Sequence, residues 1–523
     1  MGWDAHGRPG AATLDRVGDL KARAASALLA IARAASYRAM PVSGMARAWI
    51  LLAVAVLLLA GCAAPDVSPS PPTAGSASPA AQTSLPPSQD DQQLATSLRD
   101  ALDPASMLAD LDRLAAITGE HGGTRAAGSD GYAAAAEWVA GELRDAGYEV
   151  TLDAVSVPSF SQSGPGVLEI LADDAPALEG PRDFKAMLLS PSGDVTGPLY
   201  ALGFDTGAGP GDRNGIGCDL GAWGKVPAGA IVLVQPGPCQ VRTLVEHAQD
   251  AGAAALISAY PMWAPGQVRR PTLLDPDGLV IPVVATTHEA GLALADAARA
   301  GGEAHLRIST TTVMLQSDNI IAETPGGDAN HVVMLGAHLD SVIDGPGIND
   351  NATGVAVVLQ VARQLAALTG GEPTWKVRVA FWTGEELGVW GSVSFASSLT
   401  SSDRSSLAAY LNFDMLGSSS GARRVYEATT LKSPASAVLE RLFTRAFEAD
   451  GLARELVDVG GSSDHFQFDQ MGVPVGGIGS GDACYHLACD TIDNVDTVLL
   501  GQNAHAAAWV TGVLADGGAE LAP

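Results

Sequence analysis

Beyond Gln316, short apolar runs alternate with helical stretches, and several of the runs end on a histidine or a carboxylate. Residues 332–335, 377–381, 409–413 and 473–475 read as buried strands. Residues 352–368, with Val355, Val358, Leu359, Ala362 and Leu365 in helical register, read as the helix that covers them. Strand and helix in turn imply an α/β domain with a mixed, largely parallel sheet flanked by helices. In an open sheet of that kind, residues remote in sequence meet in the crevice beyond the C-terminal strand ends.

The residues at those ends are His338 in Gly336-Ala337-His338-Leu339-Asp340, Asp350 in Gly347-Ile348-Asn349-Asp350-Asn351, and Glu385-Glu386 after Phe381-Trp382-Thr383-Gly384. Asp414 in Asn412-Phe413-Asp414 and His486 in Cys484-Tyr485-His486 complete the set. Each alone has a plainer reading as a turn residue, a solvated face or a local hydrogen bond. Their joint occurrence at strand ends is what points to chemistry. Imidazole with carboxylate suits zinc or another divalent first-row ion, and two histidines with three carboxylates exceed what one tetrahedral ion with an open position takes. Two ions sharing one carboxylate fit the count, and such a pair activates a shared water. Of the adjacent glutamates, one would bind metal and the other serve as general base. Asp340 is spaced to receive the second imidazole N–H of His338 and fix its tautomer.

The set resembles the secreted bacterial co-catalytic di-zinc aminopeptidases, relatives of glutamate carboxypeptidases and secretory glutaminyl cyclases. The resemblance rests on Gly336–Val342, Gly345–Asp350, Gly384-Glu385-Glu386-Leu387-Gly388, Leu411–Met415 and Cys484-Tyr485-His486-x-x-Cys489-Asp490. It implies that Asp350 bridges two Zn2+, that His338 and Asp414 complete one site, and that Glu386 and His486 complete the other. Glu385 would be the general base, Tyr485 would help hold the developing oxyanion, and Glu385 with Asp414 would bind the substrate α-amino group. The resemblance also implies a cis peptide at Asp350-Asn351. The implied activity is hydrolysis of N-terminal residues from peptides. A carboxypeptidase or glutaminyl cyclase on the same scaffold is the nearer alternative, and a non-catalytic binding protein the more distant one. Relatives often carry an arginine where Gly461-Ser462-Ser463-Asp464-His465 has Ser462, and a longer loop before Cys484. Both differences bear on side-chain preference rather than on the metal site.

A serine hydrolase is a third possibility on the formal match of Gly417-Ser418-Ser419-Ser420-Gly421 to Gly-x-Ser-x-Gly. A nucleophile elbow needs a helix directly after it, and Ala422-Arg423-Arg424-Val425-Tyr426 does not read as one.

With 523 residues, the chain is long for one core. Residues 168–309 change texture to short strands and many glycines without a ligand cluster, with 230–234 the clearest strand and 243–251 a helix. The run from Gly224 to Val234, with Pro238-Cys239 and Ala251-Gly252-Ala253, resembles the mainly-β protease-associated domain. The expected division is therefore 101–167 and 310–523 for a catalytic domain, interrupted by 168–309. Within the first part, Leu108, Leu111, Leu114 and Ala115 mark one helical face, and Tyr132, Ala136, Val139 and Leu143 a second.

The N-terminal region reads differently. An uninterrupted apolar run over 50–60 follows Arg47 and is too short to span a bilayer. It fits a secretory signal over 1–61, with the true start at Met45 or Met40. Leu59-Ala60-Gly61-Cys62 resembles a lipobox, with Cys62 lipidated; a plain signal peptide is the alternative. Residues 62–100 read as a tether rich in Pro, Ser and Ala. The expected location is thus the cell surface, anchored at Cys62, or the exterior, with membrane contact through that lipid alone. Four further cysteines, Cys218, Cys239, Cys484 and Cys489, suggest two disulfides in an exported protein. Proximity pairs them in order, although three connectivities exist and a zinc knuckle competes.

The first 61 residues hold seven basic and three acidic residues, so the −28 of the whole chain becomes −32 beyond them. Such an acidic surface disfavours nucleic acid and anionic membranes. Peptide substrates and a monomer are the expected company.

Overall fold

The computed structural model describes residues 92–205, 207, 215–259, 266–517 and 521. The expected signal segment 1–61, Cys62 and the part of the expected tether up to residue 91 lie outside the described residues.

The expected tether ends earlier than residue 100. Gln93–Asp100 is a helix with Ala95 and Leu98 buried. It lies on the C-terminal helix Thr497–Ala515 so closely that a Cβ on Gly512 would sit 2.4 Å from Ala95 Cα. The partner comes from the far end of the chain, which is why local composition does not announce this helix.

An eight-stranded sheet forms the main body. Its order is Glu149–Gln162, Thr310–Glu323, Trp375–Trp382, Asp328–His338, Leu407–Phe413, Val475–Gly479, Arg424–Tyr426 and Glu455–Val457. The four central strands run parallel, and the two long strands at one side run antiparallel to each other. The central strands are apolar and buried over most of their length, as cover on both faces requires, although Lys376 and Arg378 interrupt Trp375–Trp382 and pair with Glu323. Helix Thr353–Thr369 covers one face and is buried over most of its circumference, from Val355 through Leu365. Helices Pro104–Glu120 and Asp130–Asp145 pack beside it through Leu111, Leu114, Val139 and Leu143. The first is capped by Asp103, whose side chain accepts from Ala105 N, and the second by Ser129, which accepts from Tyr132 N. The strand expected at 473–475 is instead Val475–Gly479.

Seven strands between Val167 and Ile308 form a second sheet with its own buried core. The connection is simple. Glu149–Gln162 pairs with Thr310–Glu323 along their whole length, Glu149 opposite Glu323 and Gln162 opposite Thr310, so the chain leaves and re-enters the main sheet at neighbouring points.

Asp344 ties the two sheets together near the parallel strand ends. Its carboxylate takes Arg270 Nη2 at 2.9 Å and Lys185 Nζ at 3.1 Å, both from the second sheet's segment. Burial pushes this carboxyl up, but Arg270 and Lys185 outweigh it and hold Asp344 below the usual carboxylate range. A depressed folded pKa gives stability that is complete above the unfolded value near ~4 and is lost as pH falls through the lower folded one. Asp344→Asn is expected to destabilise the chain by about 1–3 kcal/mol at neutral pH. Urea midpoints of wild type and variant are then expected to converge below about pH 4. A constant difference across that range would assign the loss to something other than this charge.

Candidate metal centre

Each candidate residue is delivered by a different strand end. His338 closes Asp328–His338, in register with Trp382, and Glu385 and Glu386 follow Trp375–Trp382 through Gly384 at φ +68°. Asp414 follows Leu407–Phe413. His486 lies beyond Val475–Gly479, in a turn closed by the Cys484–Cys489 disulfide. The other pair joins Cys218 to Cys239.

Asp350 sits in the turn before helix Thr353–Thr369, and the Asp350-Asn351 peptide is cis. Gly347 enters this turn at φ +61°, where a Cβ would lie 2.4 Å from Asp350 O, so only glycine fits. Asn351 couples the turn to the Asp414 strand: its Nδ2 donates to Phe413 O at 2.9 Å and its Oδ1 accepts from Met415 N at 3.1 Å. Asp490 holds the turn from the other side, accepting from Asn349 N at 2.8 Å and Asp350 N at 2.9 Å.

The side chains converge as two triads that share Asp350. His338, Asp350 and Asp414 form one; Asp350, Glu386 and His486 form the other, with the ligand atoms of each within 4.8 Å of one another. His338 Nε2 lies 3.2 Å from Asp350 Oδ1 and 3.4 Å from Asp414 Oδ1. His486 Nε2 lies 3.4 Å from Asp350 Oδ2 and 2.7 Å from Glu386 Oε2. Glu385 belongs to neither triad. It lines a cavity of about 350 Å³ with Asp350, Asp414, Tyr485 and His486.

The electrostatics of these side chains call for cations. Burial, then neighbouring carboxylates, push Glu385 and Glu386 well above the usual carboxylate range. Burial opposes charge on His338, yet Asp414 and Glu385 hold its imidazole well above the ordinary histidine value. Among the described residues, Asp350 Oδ2, Asp414 Oδ1 and both oxygens of Glu386 are buried without a hydrogen-bond partner. Buried polar atoms are normally paired, and four such oxygens around two imidazoles fit divalent ions of the zinc type.

Asp340 departs from the role expected of it. His338 Nδ1 finds the Asp340 carbonyl oxygen at 3.1 Å, while the carboxylate is 3.7 Å away. That carboxylate instead accepts the backbone N–H groups of Glu385 at 3.2 Å and Glu386 at 3.3 Å. A residue two positions on from a strand-end histidine can offer its own carbonyl, which frees the side chain to brace the neighbouring loop. The Tyr485 ring stacks on that of His486 with centroids 3.7 Å apart.

Three further residues, to which the sequence assigns no role, support the site. Arg125 is fully buried and donates to Leu339 O at 3.2 Å, Pro346 O at 2.6 Å and Gly347 O at 2.8 Å, so it clamps both ends of the loop that leads to Asp350. Ser463 Oγ donates to Asp414 Oδ2 at 2.8 Å. Asp490 braces Asp350 as described, and its place in the Cys489-Asp490 motif was the available signal. Arg125 had none, being one arginine in a polar turn. The Gly417–Gly421 run is followed by strand Arg424–Tyr426, not by a helix, which removes the nucleophile-elbow context.

Parallel central strands whose ends gather two imidazole–carboxylate triads define a metal-dependent hydrolase. Similarity to known proteins narrows the class. Residues 319–511 match the model of Peptidase family M28, and residues 195–294 match the PA domain. An aminopeptidase of Pseudomonas aeruginosa (strain UCBPP-PA14) is 32% identical over 445 residues, covering 78% of this chain and 80% of its own length. A Mycobacterium tuberculosis protein described as "Probable lipoprotein aminopeptidase LpqL" is 32% identical over 457 residues, covering 81% and 87%. Among solved structures, the aminopeptidase from Aneurinibacillus sp. strain AM-1 superposes with a TM-score of 0.65 at 25% identity, over 80% of this chain and 95% of that one. The chain belongs to Peptidase family M28, with a PA domain inserted in an α/β aminopeptidase fold, and it is a peptide-bond hydrolase of the metallo-aminopeptidase class.

Proposed function

We propose that this protein is a di-zinc aminopeptidase that removes N-terminal residues from peptides outside the cell. The observation that carries this reading is the pair of triads sharing Asp350, with Glu385 left over in the same cavity. His338, Asp350 and Asp414 would hold one ion, and Asp350, Glu386 and His486 the other. Bound there, the ions would supply Lewis acidity towards the scissile carbonyl and lower the pKa of water.

The chain's own residues do the rest. Glu385 takes the proton of the attacking water and passes it to the leaving amine. Its backbone, fixed on Asp340, sets the carboxylate towards the cavity. Asp414 and Glu385 receive the substrate's α-ammonium, which restricts cutting to the N-terminal residue. Tyr485, stacked on His486 at the cavity wall, stabilises charge on the carbonyl oxygen.

Export is supported by the two disulfides, which form in oxidising compartments, and by similarity to a relative described as a lipoprotein. Lipidation of Cys62, a monomeric state, and the division into 101–167 with 310–523 around 168–309 complete the proposal.

The test is hydrolysis of leucyl-nitroanilide with and without chelator, beside N-acetylated and C-terminally cleavable substrates. Release from the free amine alone, abolished by chelator and restored by Zn2+, is the expected pattern. Release from the C-terminus would favour the carboxypeptidase alternative, and cleavage of the N-acetylated substrate would contradict the need for a free amino group.

A further inference from the structure

We propose that Arg424 makes this site select substrates that carry a carboxylate close to the bond being cut. The inference rests on the aminopeptidase reading and adds a substrate class to it. Away from the triads the cavity continues along Met415, Arg424, Ser462 and Gly481, and Arg424 is the one lysine or arginine among the described residues that line it. Arg424 opens the short strand Arg424–Tyr426, opposite Gly479 of the neighbouring antiparallel strand, and that register carries it to the end of the sheet where the metal triads stand.

The guanidinium is seated by an absence of side chain. At Gly481, φ is +74° and a Cβ would lie 2.2 Å from Arg424 Nη1, so the planar head fills the space that any other residue would take. Its charge is weakly spent. The Glu455 carboxylate is 3.6 Å from Nε, both side chains are about half exposed, and Nε, itself buried, finds no hydrogen-bond partner among the described residues. Exposed pairs of that kind contribute little and exchange readily.

Asp482, the other acid on that side, is occupied. Its oxygens accept from Asn349 Nδ2 at 2.8 Å, Asn494 Nδ2 at 2.7 Å and Cys484 N at 2.7 Å. Asp350 and Asp414 face the triads. Arg424 is therefore a fork-shaped donor at the wall of a substrate cavity without a committed acid, and a carboxylate is the group that matches it with two parallel hydrogen bonds. An aliphatic side chain in the same place would leave the guanidinium covered and unpaired.

Two substrate positions could supply the carboxylate, the N-terminal side chain or the leaving side, and paired substrates separate them. kcat/KM would be measured on the zinc-loaded protein for glutamyl- against glutaminyl-nitroanilide, and for Leu-Gly against Leu-Gly amide. In one of the two pairs the acid is expected to be favoured by about tenfold. Arg424→Gln is expected to bring that ratio near one, Arg424→Lys to restore part of it, and Glu455→Gln, by removing the competing acid, to raise it. Ratios at or below one in both wild-type pairs would overturn the inference whatever the variants do. So would a ratio that Arg424→Gln leaves unchanged. Failure to release leucine from Leu-Gly or its amide would instead overturn the aminopeptidase reading, and this inference with it.

Discussion

Glu385→Gln is expected to lower kcat by about 10²–10⁴-fold while the protein keeps its full metal content. The two effects separate because Glu385 stands outside both triads, yet lines the cavity with Asp350 and Asp414. Glutamine keeps the shape and the backbone bond to Asp340 but cannot accept a proton. Burial and neighbouring carboxylates already push Glu385 upward, so a neutral residue relieves repulsion and the folded state should lose no stability. Metal analysis by atomic emission and steady-state kinetics on leucyl-nitroanilide decide the matter. Loss of metal in step with activity would show Glu385 to be a ligand, and its adjacency to Glu386 would then have been misread.

Asp350→Asn is expected to do more. It removes a carboxylate shared by both triads, so both ions should be lost, whereas His338→Ala or His486→Ala takes a ligand from one triad only. Activity should fall at least as far as in Glu385→Gln. Stability gives a readout independent of turnover. An ion bound at a thousand times its Kd contributes about 4 kcal/mol to the folded state, so chelator should lower the wild-type Tm markedly. In Asp350→Asn that chelator-dependent shift should vanish, because the increment is absent from the start. The apo forms should differ less, since Asp350 is a buried acid whose Oδ2 has no hydrogen-bond partner among the described residues and whose carboxyl burial pushes up. A variant that still carried one ion per chain, or still lost stability with chelator, would contradict a bridging role.

Much of the fold was legible because both signals that specify it are local. Apolar runs such as 332–335 report strands buried on both faces, and the helical spacing of Val355, Val358, Leu359, Ala362 and Leu365 reports a covered helix. The misplacement at 473–475 has a physical cause. Gly476 and Gly477 lower strand propensity, yet a Cβ on Gly477 would meet Asn412 O at 2.6 Å and one on Gly476 would meet Leu439 at 2.6 Å. Close approach by neighbours demanded glycines inside a strand, and a single sequence does not display neighbours. The helix Gln93–Asp100 was missed for the same reason, its partner being the C-terminal helix.

Residue types and their positions at strand ends thus determined, from the sequence alone, an α/β sheet and the pool of side chains that form the site. They did so because hydrophobic period and ligand chemistry are properties of short segments. Tertiary structure alone decided which of those side chains gather in one triad, that the Asp340 carbonyl rather than its carboxylate meets His338, that Arg125 clamps the Asp350 loop and that Arg424 lines the cavity. These depend on distances of a few ångströms between residues brought together by the packing of separate strands and loops, and no local pattern encodes such distances.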